Sequence, residues 1–241
     1  MRRKSYREQL LMKVKPKHQK NDVDSLNWII CNKPIFSDIS KTKRRQYLQS
    51  IIKLEPWVYF NIKFYLSKEV ACRIHGMNHA IRVAINVLLI AEERNLKISK
   101  LDLIYMGLFH DIGRVNDNRD DNHGERSLQL FDSLIKKNKI FVSDLGSISY
   151  GIKMHDVIQR ETNITINQDS SDFLNIIKTA DALDRYRFPR IDWWINDSYL
   201  KLFPSDTLKD IAFEICVRSE LEYIKRKKID YDKIIKKLIA D

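Results

Sequence analysis

Glycine and proline are scarce in this chain, 6 and 5 in 241 residues. That scarcity disfavours turn-rich all-β architectures and favours long helices. Cysteine is scarce too: Cys31, Cys72 and Cys216 stand isolated and odd in number. They offer neither a disulfide framework nor a C-x-x-C metal knuckle, so a reducing cytoplasm is the expected compartment. No stretch reaches the ~18 apolar residues of a membrane span. The opening MRRKSYREQLLMKVKPKHQKND is basic but lacks the apolar segment of a secretory signal. No repeat or low-complexity linker is present either, and the expectation is a soluble, cytoplasmic protein with no membrane partner.

What is there is enough for one good core: 44% hydrophobic and 10% aromatic residues, with helical extensions beside it. The net charge of +11 is unevenly spread. Residues 1–50 carry 13 Lys/Arg against 4 Asp/Glu, and residues 225–241 carry 7 against 3, which leaves the middle at −2. Basic ends around a near-neutral middle suit the steering of an anionic substrate or nucleic acid, and equally a solvated Lys-rich surface. Lys41-Thr-Lys-Arg-Arg45 with Tyr47, and Lys225-Arg-Lys-Lys228 with Tyr231, are basic clusters beside aromatics, as nucleic-acid binders have.

Helical patterns follow one another along the chain. Residues 1–24 read as weakly ordered, and Trp28 to Leu66 as two or three helices broken near Pro34 and Pro56. His79 to Glu93 is apolar nearly all round, which marks a buried helix. Ser99-Lys100-Leu101-Asp102 has the form of a capping box for a helix running to Asp111, with Gly113 as its stop. Another helix starts near His123, and one capped by Ser143 or Asp144 ends on His155. Thr162 to Gln168 alternates as a short ribbon or loop would. Ser170 opens a helix through Ala180 and Asp181, stopped by Pro189, and two more start near Leu208 and Tyr231. Trp57, Trp193 and Trp194 are expected between core and extensions, because so much ring area is costly to leave in water.

The histidines carry the chemical signal. Of six, only His18 lies in the basic tail, while His79, His110, His123 and His155 fall at ends of four different predicted helices. From the edge of an apolar stripe each can point into a shared interior. Imidazole and carboxylate ligate Zn, Mn and Fe, and a metal offsets buried carboxylates that are otherwise very unfavourable. His110-Asp111 adjoin at the end of a buried helix, and Asp181 sits on an otherwise apolar face. A single such histidine is more often a hydrogen-bonded core residue, and His-Asp pairs arise by chance. His155-Asp156 is a second pair; it runs on into polar residues without a stop, so it is expected to contribute His155 alone.

Taken together, His79-Ala-Ile-Arg-Val, Phe-His110-Asp111-Ile-Gly-Arg and Lys178-Thr-Ala-Asp181-Ala-Leu-Asp resemble the successive signatures of the HD superfamily of phosphohydrolases. The match covers roughly residues 70–190. It implies an all-α helical bundle in which His79, His110, Asp111 and Asp181 bind a metal. Residues 69–190 would be the HD domain, 1–68 a basic helical extension, and 191–241 a helical extension packed on the same core. The additional His123 and His155 are similar to the binuclear branch, which includes the HD-GYP phosphodiesterases and the inositol oxygenase-like proteins. There they would hold a second metal, with Asp111 as the bridge. The alternative is that His123 caps its helix and His155 is a satisfied core residue. No Gly-Tyr-Pro follows the final His, so cyclic dinucleotide specificity is not implied. Ile-Gly-Arg after Asp111 departs from the acidic pair of the superfamily's alarmone hydrolases and argues against that activity.

The resemblance thus implies one or two divalent transition metals per chain, Fe, Mn, Ni or Zn ahead of Mg. The expected reaction is hydrolysis of a phosphate ester, in a nucleotide or nucleic acid, by a metal-activated water. Asp111, Arg114 and Lys178 are the catalytic candidates, Arg114 and Lys178 as cations for transition-state charge. His75, Arg114 and Arg185 are the substrate-binding candidates. Surface salt-bridging is the plainer role for these cations, and a loop position the plainer one for His75. A di-iron oxygenase would use the same six ligands, because redox chemistry belongs to the metal. A nucleic-acid-binding module using the basic ends is the third reading.

Overall fold

The structure is a computed structural model that describes residues 4–14, 19–138, 140–157, 168–190, 194–195 and 199–241. His18, Trp193 and the segment 162–167 lie outside them. Among the described residues there is no strand. The helices are α1 (Tyr6–Leu11), α2 (Val23–Cys31), α3 (Lys41–Leu54), α4 (Lys68–Ala71), α5 (Met77–Glu93), α6 (Lys100–Phe109), α7 (His123–Asn138), α8 (Leu145–Met154), α9 (Gln168–Leu183), α10 (Asp206–Arg226) and α11 (Tyr231–Ala240). Short 3-10 turns cover Pro56–Tyr59, Ile62–Phe64 and Asp184–Arg187. The fold is all-α, and no described helix is long and apolar enough to cross a membrane.

Helix α5 is the axis. It is buried from His79 to Ala91 and packs against α3, α6, α9 and α10. Its buried polar residues, His79, Arg82 and Asn86, recur at spacings of three and four, so they share one face. That face meets α9 and the turn after it: Asn86 donates to the Ala180 carbonyl at 3.1 Å, and Arg82 reaches Asp184. Where α6 crosses α5, Gly107 allows backbone contact, since a Cβ there would lie 2.5 Å from Cα of Ala84. The buried Asp102 near the start of α6 accepts from the amides of Ser143 and Asp144 and so fixes the entry to α8. One core joins α5, α6, α8 and α9 to residues of α3, α10 and α11.

Helix ends fall close to their sequence signals. Ser99 and Asp144 cap α6 and α8 through their side chains. Three details differ from expectation. The segment before residue 24 is not weakly ordered where described: Ser5 and Glu8 form a capping box for α1, and Tyr6 and Leu10 are buried against Ile74 and Phe188. Gly113 is no left-handed helix stop, because no described glycine has positive φ. Its value is space, as a Cβ would lie 2.4 Å from the Ser127 amide nitrogen of α7. Trp194 is buried as expected, but Trp57 is only half-buried, stacked on Tyr231 at 6.0 Å.

Candidate metal centre

Four helices deliver one histidine each. His110 and His155 terminate α6 and α8 in the same way. Each ring donates Nδ1–H to the carbonyl three residues back, Gly107 at 2.8 Å and Ile152 at 2.7 Å. Carbonyls in a last helical turn lack intrahelical donors, so this bond satisfies them and fixes the ring. At the start of α7, His123 places Nδ1 2.6 Å from the Asp120 carbonyl and 3.1 Å from Oδ2 of Asp156. On α5, His79 places Nδ1 2.7 Å from Oδ2 of Asp184. With Nδ1 facing an acceptor in all four, Nε2 is the nitrogen that turns inward, where it can hold a metal or, as in metal-free His79, a proton.

Those four nitrogens surround one carboxylate. Oδ2 of Asp111 lies 3.5 Å from Nε2 of His79 and 3.8 Å from that of His110. Oδ1 lies 2.9 Å from Nε2 of His123 and 3.2 Å from that of His155. Within each pair the nitrogens stand close, His79 to His110 at 3.2 Å and His123 to His155 at 2.9 Å. Two lone pairs at such distances repel unless a proton or a metal ion lies between them. This donor set fits a metal: His79, His110 and Asp111 form one buried group able to hold an ion, and Asp111, His123 and His155 another. Residues 76–186 match the family model of the HD domain.

Residues 76–186 are an HD domain. No curated protein and no solved structure matches the chain. The family is one of metal-dependent hydrolases, and its defining pair here is His110-Asp111 at the end of α6. Asp181 of α9 joins the HD centre from the open side. Its side chain is 33% exposed, and Oδ1 lies 3.3 Å from Nε2 of His79. It stands outside the two compact groups, and the structure brings it to His79.

Charge in the centre is arranged for anionic carboxylates. Burial disfavours ionised Asp111, yet Arg114, His110 and His123 hold its pKa well below the usual range. Burial likewise opposes charge on Asp184, and Arg82 and Arg187 outweigh it, lowering the pKa to about 2. Arg82 contributes Nε at 2.6 Å from Oδ1 and Nη2 at 3.1 Å from Oδ2, a bidentate clamp that leaves Oδ2 of Asp184 facing His79.

The remaining candidates scatter. Arg114 is buried at the centre, with Nη1 3.1 Å from Nε2 of His123 and 3.7 Å from Oδ1 of Asp111, while Nη2 donates to the Asn118 carbonyl. His75 lies edge-on to His79, ring centres 5.8 Å apart, and its Nδ1 is 3.3 Å from Oδ1 of Asp117. Burial, with Arg114 and Arg187, drives its pKa well below the ordinary histidine value. Lys178 donates to the Val157 carbonyl at 2.6 Å rather than to any of the six candidate ligands. Arg185 lies over the Tyr199 ring at 4.3 Å.

Three supporting residues were given no role from sequence. Asp184 closes the quoted Lys178-to-Asp segment, and Arg82 sits inside the first one. The available signal was an arginine within an otherwise apolar helix, which demands a buried carboxylate partner. Asp156 has no expected part in the second His-Asp pair, yet its Oδ2 holds His123 and accepts from the Gly124 amide at 3.2 Å.

Proposed function

We propose that this HD protein is a two-metal phosphoric ester hydrolase acting on a nucleotide or a related phosphate ester. The observation that supports it is the split of Asp111, whose two oxygens face two different histidine pairs. His79, His110, Asp111 and Asp181 would hold one ion, and His123, His155 and the shared Asp111 the other. Bound divalent metal supplies a water activated at neutral pH and neutralises phosphoryl charge.

The chain's own residues do the rest. Asp184, the carbonyls of Gly107, Asp120 and Ile152, and Asp156 lock the ring orientations, so no reorganisation is needed when substrate arrives. Arg114 stands beside Oδ1 of Asp111 and His123, where its N–H groups can donate to phosphoryl oxygens. This cation at the centre favours phosphate over an uncharged oxygenase substrate. Lys178 and Arg185 are proposed as outer cations that reach substrate by leaving Val157 and Tyr199. A cytoplasmic location belongs to the same proposal.

The test is a turnover screen of nucleotides, oligonucleotides and simple phosphomonoesters and diesters with Mn, Fe, Ni, Zn and Mg. Metal-dependent phosphate release, abolished in Asp111→Asn, is the expected result. Oxygen consumption by an iron-loaded, coloured protein that releases no phosphate would overturn it.

A further inference from the structure

The basic ends of the sequence have no part in the metal centre, yet the fold brings both to one place. A cavity of about 450 Å³ lies between the N-terminal segment, α4 and the C-terminal part of α10. That volume is within the ~300–1,000 Å³ of small-molecule pockets. Lys20 from one basic end and Lys227 from the other line it, with Lys68 and Arg73 between them. Two carboxylates accompany these four cations, Glu69 and Glu220. Glu220 is already engaged, bonding Arg82 at 2.9 Å and the Asn21 amide at 3.1 Å.

The pocket lining is part apolar and part polar. Ile74, Tyr223 and Ile224 line it, with the Lys227 ammonium 5.3 Å from the Tyr223 ring centre. Asn21 also lines it and is buried. Its Nδ2 donates to the Arg187 carbonyl at 2.9 Å and to Glu220, which fixes the amide orientation. Its Oδ1 is then left as a buried acceptor with no partner. An unmet acceptor calls for a hydrogen-bond donor, directly or through one water.

We propose that this pocket is a second binding site, distinct from the metal centre, for a nucleotide-sized phosphate ester. The phosphate is held by the Lys20, Lys68, Arg73 and Lys227 rim, the ring system lies along Tyr223 and Ile224, and a hydroxyl or amino group answers Asn21. Chemistry at the metal centre is not required for this binding, so the two readings fail separately.

Calorimetric titration of the full chain with adenosine monophosphate, and separately with inorganic phosphate, tests it at fixed salt. The double variant Lys68→Glu/Arg73→Glu changes only rim positions, and Asp111→Asn removes the central carboxylate of the metal centre. Binding of the monophosphate that survives Asp111→Asn and weakens about tenfold or more in the rim variant is the expected result. Inorganic phosphate should bind clearly more weakly. Absence of monophosphate binding would overturn the proposal, as would loss in Asp111→Asn with retention in the rim variant. Equal affinity for bare phosphate would overturn the assignment of ligand class.

Discussion

Oδ2 of Asp156 lies 3.1 Å from Nδ1 of His123, the ring nitrogen that points away from Asp111. The second His-Asp pair of the sequence is thus part of the centre: its histidine faces inward and its aspartate holds a neighbouring histidine. Carboxylates placed this way fix the tautomer and raise ligand basicity. Asp156→Ala is therefore expected to weaken metal binding about 10–100-fold at the His123/His155 site, with the His79/His110 site little changed. Competitive titration with a metal chelator measures both, and unchanged affinity at both would remove the assigned role.

Asp184 makes the corresponding contact with His79, reinforced by Arg82. Asp184→Asn keeps the shape but removes the charge that Arg82, Arg187 and His79 all face. Arg82 keeps Glu220, but buried Arg187 loses its carboxylate, and breaking a buried pair in this way costs about 3–5 kcal/mol. A melting temperature within a degree of the parent would contradict this reading.

In the metal-free protein two histidines titrate in opposite senses. Burial and Arg187 oppose charge on His79, but its bonds to Asp111, Asp181 and Asp184 prevail and raise its pKa to about 9. That stability is fully present below the unfolded value near 6.5 and is lost as pH climbs through about 9. Burial lowers the pKa of His110 to about 3 against the pull of Asp111, so stability falls as pH drops below about 6.5. Thermal melts of chelator-treated protein should peak near pH 6.5 and decline on both sides. Bound metal takes the place of the proton at His79 and should flatten the alkaline decline. A melting temperature that rises steadily from pH 6.5 to 9 without metal would be inconsistent with the centre described here.

Gly107 sets the approach of α6 to α5, and with it the spacing of His79 and His110. Gly107→Ala places a methyl group 2.5 Å from Cα of Ala84. Backbone on the opposing side cannot rotate away, so a loss of about 1–3 kcal/mol is expected from overpacking. Chemical denaturation of the metal-free variant measures it, and parental stability would show that the helices separate at little cost.

Much of this arrangement was legible in the sequence because local signals coincide with it. Ser99 and Asp144 announce helix starts, the apolar circumference of α5 announces its burial, and His110 and His155 close helices where an inward turn is natural. Long-range pairing was less legible. Nothing local says that Asp184 faces Arg82 across 102 positions, or that Asp156 faces His123 across a helix pair. Gly113 misled because a glycine after a helix usually serves φ > 0, whereas here α7 lies against it. The N-terminal segment reads as weakly ordered because its basic residues dominate its composition, whereas Tyr6 and Leu10 pack on Ile74 and Phe188 and Asn21 donates to the Arg187 carbonyl.

The most direct measurement is metal content per chain after reconstitution, by elemental analysis of the parent beside His123→Ala and His155→Ala. Two ions per chain in the parent, falling toward one in each variant with the helical circular dichroism signal intact, is the result expected if Asp111 joins two sites. A parent that saturates at one ion per chain would contradict the two-metal centre.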